Sequence, residues 1–319
     1  MEYRHLGKSG VRVSQLSFGS WVTFGRQMSI EPVKETIKYA FDQGVNFFDN
    51  AEVYSNGQSE ELMGAAFRQL GIPRHQYLIS TKFYWGIDGD LVNFKNTLNR
   101  KYLMHAIQGS LKRLHMDFVD IVYCHRPDPT TPIEETVMAM HDMIQRGYAL
   151  YWGTSEWSAE QIQVAYQFSV ANGFHRPIVE QPQYNLMHKE KVEKEFANLY
   201  SSQGLGLTTW SPLASGILTG KYENGIPENS RLSMKSMSWL QEELEKPKVK
   251  KLLTELKKIS NTEKIPMSNL AIGWCTLNPH VSTVILGASH KEQLQQNLES
   301  LKYLSHIKDI KKHLDQISD

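Results

Sequence analysis

Short apolar runs rich in β-forming residues alternate with segments of helical period along nearly all of the 319 residues. This alternation is typical of a parallel sheet whose strands are joined by helical crossovers. Strands are predicted at residues 16–18, 46–49, 77–81, 119–123, 150–153, 178–181, 207–209 and 282–286. Eight strands favour a closed (β/α)8 TIM barrel of the α/β class, with a doubly wound open sheet as the alternative.

The helical segments carry their apolar residues on one face. The first of them has apolar residues at intervals of four, three and one, namely Val33, Ile37, Ala40 and Phe41. This spacing predicts a helix whose apolar face packs on the barrel.

Two of the predicted helices have a recognisable start. Thr131 with Glu134, and Ser158 with Gln161, fit the capping box, in which a hydroxyl and a side chain three residues later satisfy the first free amides.

The connections predict where a functional site would lie. No linker rich in Gly and Ser divides the chain, so residues 1–319 are expected to form a single domain, opened by an N-terminal β-hairpin from Tyr3 to Val13. Two connections, 83–100 and 212–247, are long enough to suggest functional loops. Because barrel enzymes hold their active sites at the C-terminal strand ends, both are expected to border the site.

Composition excludes several classes of protein. The balance of 35 Lys+Arg against 34 Asp+Glu leaves no basic footprint for nucleic acid, and 40% hydrophobic residues suit an ordinary globular chain. No run approaches the roughly 20 apolar residues of a membrane span, and the first residues lack the apolar core of a signal peptide. A cytoplasmic protein without membrane insertion is expected.

A metal centre is not expected either. Cys124 and Cys275 each lie among apolar residues, as small buried side chains do, and the 12 His are scattered along the chain. A metal-dependent barrel hydrolase therefore lacks a convincing ligand cluster.

Four polar residues follow three consecutive predicted strands. Asp49 ends the second strand, Tyr54 lies in the loop after it, Lys82 follows the third strand, and His125 follows the fourth. Each alone could be a cap, a solvated lysine or a core histidine. Together they suit carbonyl reduction: Lys82 would make Tyr54 a better proton donor, Asp49 would hold Lys82, and neutral His125 would bind the carbonyl.

Neither common nucleotide-binding loop is present. Residues 216–221 read GILTGK, but the glycines are one residue too close for a P-loop and Tyr222 stands where Ser or Thr is required. A G-x-G-x-x-G fingerprint is absent as well, so a dinucleotide would have to bind at the barrel rim.

Ordered motifs add a family to this interpretation. DNAEVY, STK, HRPDPTTPIEET, YWGTS, EQPQYN, TWSPLASGILTGKY and LGAS follow one another along the chain. In this set the chain resembles the aldo-keto reductase superfamily, and most closely the branch of the voltage-gated potassium channel β subunits and their bacterial relatives.

This resemblance implies a catalytic tetrad of Asp49, Tyr54, Lys82 and His125, with Tyr54 as the general acid. It implies NADPH as cofactor, with NADH less favoured, and substrate-pocket walls formed by Trp21, Tyr54, Trp85 and His125. The residues it implies for the cofactor are Ser20, Trp21, Gln27, Asp49, Ser155, Gln181, Trp210, Ser211, Pro212, Leu213, Ser215, Lys221, Arg231, Gly287, Ser289, Gln293 and Asn297.

Within that set the resemblance also implies roles. The nicotinamide would stack on Trp210 with its carboxamide near Ser155 and Gln181. The diphosphate and ribose would be clamped by Ser211, Leu213, Ser215, Lys221 and Arg231. The adenosine phosphate and adenine would be contacted by Ser289, Gln293 and Asn297.

Two positions bear on the function that the resemblance implies. Channel β subunits carry Asn where this chain has His125, which favours a working reductase of aldehydes, and of ketones, over a redox sensor. Many members have Arg near the adenosine 2′-phosphate, where this chain has Gln293. Lys221 and Arg231 still favour NADPH. A regulatory subunit with a channel partner is the alternative, and a homo-oligomer is compatible with both.

Overall fold

The computed structural model describes residues 1–222, 225–227, 232 and 239–318. Within these ranges eight parallel strands close a barrel. The barrel strands are β3 (Leu16–Gly19), β4 (Phe47–Asp49), β5 (Leu78–Phe83), β6 (Val119–Cys124), β7 (Ala149–Thr154), β8 (Val179–Glu180), β9 (Gly206–Thr209) and β10 (Val281–Leu286). Around the barrel they follow one another in the order β10-β3-β4-β5-β6-β7-β8-β9. The predicted TIM barrel is confirmed, and each predicted strand end lies within two residues of the observed one.

Helices surround this barrel. Their bounds are α1 (Ile30–Asp42), α2 (Gln58–Leu70), α3 (Arg100–Leu114), α4 (Ile133–Gln145), α5 (Ala159–Ala171), α6 (Ala197–Ser202), α7 (Trp239–Glu245), α8 (Pro247–Glu263), α9 (Met267–Thr276), α10 (Lys291–Leu298) and α11 (Leu304–Ile317). As the spacing predicts, α1 buries Val33, Ile37 and Ala40 completely, and Phe41 packs against the same core partly buried.

An antiparallel hairpin closes the N-terminal end of the barrel. Its strands are β1 (Tyr3–His5) and β2 (Arg12–Ser14), as the sequence predicts. Leu6 and Val13 pack into the barrel interior with Phe47, Ile121 and Tyr123. Because the hairpin fills this end, a ligand cleft has to open at the C-terminal ends of the strands.

One of the two predicted helix caps is wrong. Ser158 and Gln161 form the capping box at the start of α5. Before α4, however, Pro132 occupies the capping position and the Thr131 hydroxyl donates to Asp128 Oδ2 at 2.6 Å. A nearby carboxylate is the stronger acceptor, so it takes the hydroxyl that would otherwise cap the helix.

The two long connections differ in content. Residues 84–99 contain no helix or strand, and Asn99 caps α3 by accepting from Tyr102 N. The longer connection contains a 3-10 turn, Ala214–Thr219, and α7. Arg231 lies outside the described residues.

Gly64 on α2 tests how closely the outer helices pack. A Cβ at this position would lie 2.1 Å from the Leu114 carbonyl oxygen, which belongs to the backbone of α3. We expect Gly64→Ala to lower the free energy of unfolding by about 1–3 kcal/mol in urea denaturation, since backbone cannot yield as a side chain can.

Gly10→Ala is the matched control, because no atom lies within 4 Å of a Cβ built there. Equal stability of the two variants would contradict the close helix contact.

Candidate active site

Three neighbouring strands bring the four predicted catalytic side chains to one point of the rim. Asp49 ends β4, Lys82 lies near the end of β5, and His125 follows β6. Tyr54 begins the 3-10 turn Tyr54–Gly57 after β4. Lys82 Nζ lies 2.6 Å from Asp49 Oδ2 and 3.1 Å from the Tyr54 hydroxyl, and the ring centroids of Tyr54 and His125 are 5.8 Å apart.

Hydrogen bonds fix the orientation of Lys82. Its ammonium donates to Asp49 Oδ2, to the Asn50 carbonyl oxygen at 2.8 Å and to the Tyr54 hydroxyl oxygen. These three acceptors match the three protons of the ammonium group. Since Lys82 donates to the Tyr54 oxygen, the phenolic proton of Tyr54 is left for another acceptor.

Asp49 is held equally firmly from the other side. Its Oδ1 accepts from Ser80 Oγ at 2.7 Å and from Gln181 Nε2 at 3.0 Å. Asp49 is 3% exposed and Lys82 is 1% exposed. An ion pair removed from water to this degree is stable only when its remaining hydrogen-bonding capacity is satisfied.

The ionisation of Lys82 and Tyr54 reflects this burial. For Lys82, burial lowers the pKa, but Asp49 and Tyr54 outweigh it, so the pKa lies above its ordinary value and the ammonium persists. For Tyr54, burial raises the pKa, and the charge of Lys82 opposes that rise without reversing it. Lys82 therefore acts on the pKa of Tyr54 in the direction that the sequence predicts, although burial has the larger effect. Tyr54 stays a protonated phenol, with an ammonium beside the oxygen that would become negative.

His125 is neutral in this setting. Burial, followed by the charges of Lys82 and Arg126, holds the pKa of its imidazole well below the ordinary value. Its Nδ1 is buried and has no hydrogen-bond partner among the described residues. A neutral ring beside Tyr54 can donate a hydrogen bond to a carbonyl oxygen without competing for the phenolic proton.

A cleft of about 380 Å³ opens over the tetrad. Most of the side chains predicted for cofactor or substrate line it. These are Trp21, Gln27, Asp49, Tyr54, Trp85, His125, Ser155, Gln181, Trp210, Ser211, Pro212, Leu213, Ser215, Lys221, Gly287, Ser289, Gln293 and Asn297. Their individual roles stay predictions.

Ser20 is not part of the cleft wall. Its side chain is completely buried and accepts a hydrogen bond from Ser59 Oγ at 2.8 Å. Its backbone N–H donates to the Asp49 carbonyl oxygen at 3.1 Å. Ser20 thus lies behind the wall, where it supports the end of β4.

Two tryptophans contact each other edge to face on one side of the cleft. The rings of Trp21 and Trp210 are 6.0 Å apart at an interplanar angle of 84°. Trp210 Nε1 donates to Glu156 Oε1 at 2.9 Å, and Glu156 Oε2 accepts from Lys191 at 3.1 Å. Glu156 thereby fixes the ring plane of Trp210.

The far end of the cleft is polar. The backbone N–H and the hydroxyl of Ser289 donate to Gln293 Oε1 at 2.9 and 3.2 Å. Asn297 is 4% exposed, and its Nδ2 has no hydrogen-bond partner among the described residues. A buried donor without a partner in a cleft wall indicates a ligand acceptor.

Sequence reasoning did not single out Glu156 or Arg126. Arg126 lines the cleft directly after His125, and its place at a strand end was the one signal that could have identified it. Glu156 follows Ser155, but its left-handed backbone, with φ of 61°, and its contact with Trp210 come from the tertiary structure.

Comparisons with known proteins agree with this geometry. The sequence profile of the Aldo/keto reductase family matches residues 15–318. A rice protein (Oryza sativa subsp. japonica) named "Probable voltage-gated potassium channel subunit beta" is 52% identical over 304 residues, which cover 94% of this chain and 91% of the relative. A protein of Arabidopsis thaliana with the same name is 50% identical over 302 residues, with the same coverage.

The structure also bears on membrane and metal binding. Within the described ranges, every helix falls short of the length and apolar character needed to cross a bilayer. The same residues contain no group of three or more His, Cys, Asp or Glu placed to hold a metal ion.

A buried carboxyl group lies directly before Gln181. Glu180 is completely buried, and its Oε2 accepts from Thr154 Oγ1. Its Oε1 has no partner among the described residues. Burial raises the pKa of Glu180 to about 8, so the carboxyl is protonated at neutral pH.

This protonation makes stability depend on pH. Between about 4.5, the ordinary pKa, and about 8 the folded chain keeps a proton that the unfolded chain has lost. Glu180 therefore lowers stability as pH rises, by up to about 1.4 kcal/mol per pH unit. We expect the difference in unfolding free energy, wild type minus Glu180→Gln, to fall by about 1–3 kcal/mol from pH 5.5 to 7.5 in urea denaturation. The exposed Glu134→Gln is the charge-matched control, and a pH-independent difference for Glu180→Gln would contradict a protonated Glu180.

Proposed function

Since this chain belongs to the aldo/keto reductase family, we propose that it reduces aldehydes, and ketones as a secondary class, to alcohols with NADPH. A reduced nicotinamide held at the rim would supply the hydride for the carbonyl carbon and would be oxidised in doing so. The proton for the carbonyl oxygen comes from Tyr54. Together the hydride and the proton convert the carbonyl into an alcohol.

The contact between Lys82 and Tyr54 carries this proposal. Lys82 Nζ donates to the phenolic oxygen at 3.1 Å, so the phenolic proton can point into the cleft. When Tyr54 gives up that proton, the phenolate forms beside a buried ammonium that Asp49 already holds in place. Stabilising a charge at the place where it develops is the main source of rate enhancement at such sites.

Neutral His125 complements Tyr54. Its ring lies 5.8 Å from that of Tyr54 and 6.4 Å from that of Trp85, so a carbonyl oxygen near Tyr54 is also within its reach. Trp85 is 37% exposed, and with Trp21 it gives the substrate side of the cleft apolar walls. Such walls suit hydrophobic and aromatic aldehydes.

The cleft also fits a nicotinamide cofactor. Trp210, fixed by Glu156, offers an aromatic face to a flat ring. Ser155 and Gln181 would hold the carboxamide. Lys221, together with Arg231 from outside the described residues, would hold phosphate, and this pair of cations favours NADPH over NADH.

At the adenosine end of the cofactor, the buried Nδ2 of Asn297 supports the assignment. A base or phosphate oxygen would give this donor the acceptor that the described residues do not supply.

Tyr54→Phe tests the general acid. We expect kcat for NADPH oxidation with an aromatic aldehyde to fall by about 100-fold or more, because the proton donor is lost. NADPH binding, followed by quenching of tryptophan fluorescence, should persist. Tyr3→Phe is the control, since the Tyr3 hydroxyl donates to Gly44 on the hairpin side of the barrel. Full activity of Tyr54→Phe would overturn the assignment.

A second candidate function comes from the relatives, which are named as potassium channel β subunits. In this alternative the chain binds the cofactor with little turnover and acts as a regulatory subunit on a channel. The same assay separates the two functions. If the wild type binds NADPH tightly but none of the aldehydes causes its oxidation, the regulatory subunit is favoured.

A further inference from the structure

Arg126 lies beside the proposed reacting groups and belongs to neither the tetrad nor the predicted cofactor contacts. It follows His125 directly, and its half-buried side chain lines the cleft. The Nη1 of Arg126 donates to the His125 carbonyl oxygen at 2.5 Å and, more weakly, to Ser155 Oγ at 3.4 Å. The guanidinium carbon lies 5.9 Å from the ring centroid of Trp85. Arg126 thus occupies the substrate end of the cleft.

The positive charge of Arg126 is not balanced by a nearby acid. Among the described residues no carboxylate lies within 4 Å of its guanidinium. The acidic side chains of this part of the barrel rim already have other partners. Asp49 pairs with Lys82, Glu156 pairs with Lys191, and Asp128 accepts from threonine hydroxyls.

The charge of Arg126 also affects the pKa values of two proposed catalytic residues. Arg126 contributes to lowering the pKa of His125 and opposes the rise in the pKa of Tyr54. The guanidinium therefore acts on the side of the cleft where the carbonyl would lie. Its Nε and Nη2 make no hydrogen bond with the described residues and are not sealed from solvent, so a fork of donors remains available.

We propose that Arg126 binds a carboxylate on the substrate, so that the preferred substrates are aldehydes that carry a carboxylate. This inference rests on the proposed reductase function. A planar guanidinium matches a carboxylate with two parallel hydrogen bonds, and the pair forms beside the ring of Trp85, partly out of water. The carboxylate would supply the counter-charge that the chain itself does not place beside Arg126.

Two aldehydes of similar shape test the proposal. In 4-carboxybenzaldehyde and 4-methylbenzaldehyde, the carboxylate of one replaces the methyl group of the other. We expect wild type to prefer the carboxylate, and Arg126→Gln to lower the ratio of the two kcat/KM values by about 10-fold or more, as expected for hydrogen bonds to a charged group. An unchanged ratio would overturn the proposal.

Arg146→Gln is the matched control. Arg146 is exposed at the end of α4, which precedes β7 and thus lies at the opposite end of the barrel, and the substitution removes the same charge. The ratio should stay at the wild-type value in this variant. A fall as large as that in Arg126→Gln would show that only the overall charge matters and would overturn the local site.

Further arms separate the remaining explanations. If Arg126→Gln raises the KM for NADPH and slows both aldehydes equally, Arg126 serves the cofactor through Ser155, and the proposal is wrong. A phosphate is tested with glyceraldehyde 3-phosphate and glyceraldehyde as a second pair. If the kcat/KM ratio of this pair exceeds the ratio of 4-carboxybenzaldehyde to 4-methylbenzaldehyde, the site binds phosphate and the carboxylate proposal is overturned.

Failure of the reductase function gives a different result. If neither aldehyde is reduced by wild type, calorimetric titration of 4-carboxybenzaldehyde into the NADPH-loaded protein still measures its affinity for the site. Binding that weakens about 10-fold or more in Arg126→Gln would support the carboxylate site without turnover. Binding that is equal in the two proteins would overturn it.

Discussion

A buried ion pair between Lys82 and Asp49 is the interaction on which the site depends. The two side chains come from neighbouring strands, β5 and β4, and lie almost entirely out of water. Removing one partner of such a pair costs about 3–5 kcal/mol, because the other charge stays buried without compensation. This burial is possible because Asp49 also accepts hydrogen bonds from Ser80 and Gln181, and Lys82 also donates to the Asn50 carbonyl oxygen. One ammonium proton of Lys82 is left for Tyr54.

The barrel could be predicted because its signals are local. Each strand is a short buried run that can be recognised without its neighbours, and parallel strands necessarily bring their C-terminal ends to one rim. Once Asp49, Lys82 and His125 were assigned to consecutive strand ends, their proximity followed from topology alone. The position of Tyr54 was less constrained, since it depends on the 3-10 turn after β4, in which Ser55 and Asn56 adopt left-handed backbone angles.

Features that depend on three-dimensional packing could not be predicted. The pKa of Tyr54 is set by burial more than by Lys82, and burial of a loop residue is not visible in the sequence. The family resemblance implies that Ser20 contacts the cofactor, but the Ser20 side chain is completely buried behind the cleft wall. The Thr131 hydroxyl turns to Asp128 because the loop brings that carboxylate within reach.

We infer that the Lys82 ammonium stabilises the phenolate that proton transfer leaves at Tyr54. Single-turnover oxidation of NADPH by 4-methylbenzaldehyde in Lys82→Met tests it most directly, with circular dichroism and NADPH binding confirming a folded, loaded protein. We expect the oxidation rate to fall by about 100-fold or more, as for the loss of one preorganised donor at a developing charge. An undiminished rate in the folded, NADPH-bound variant would contradict it.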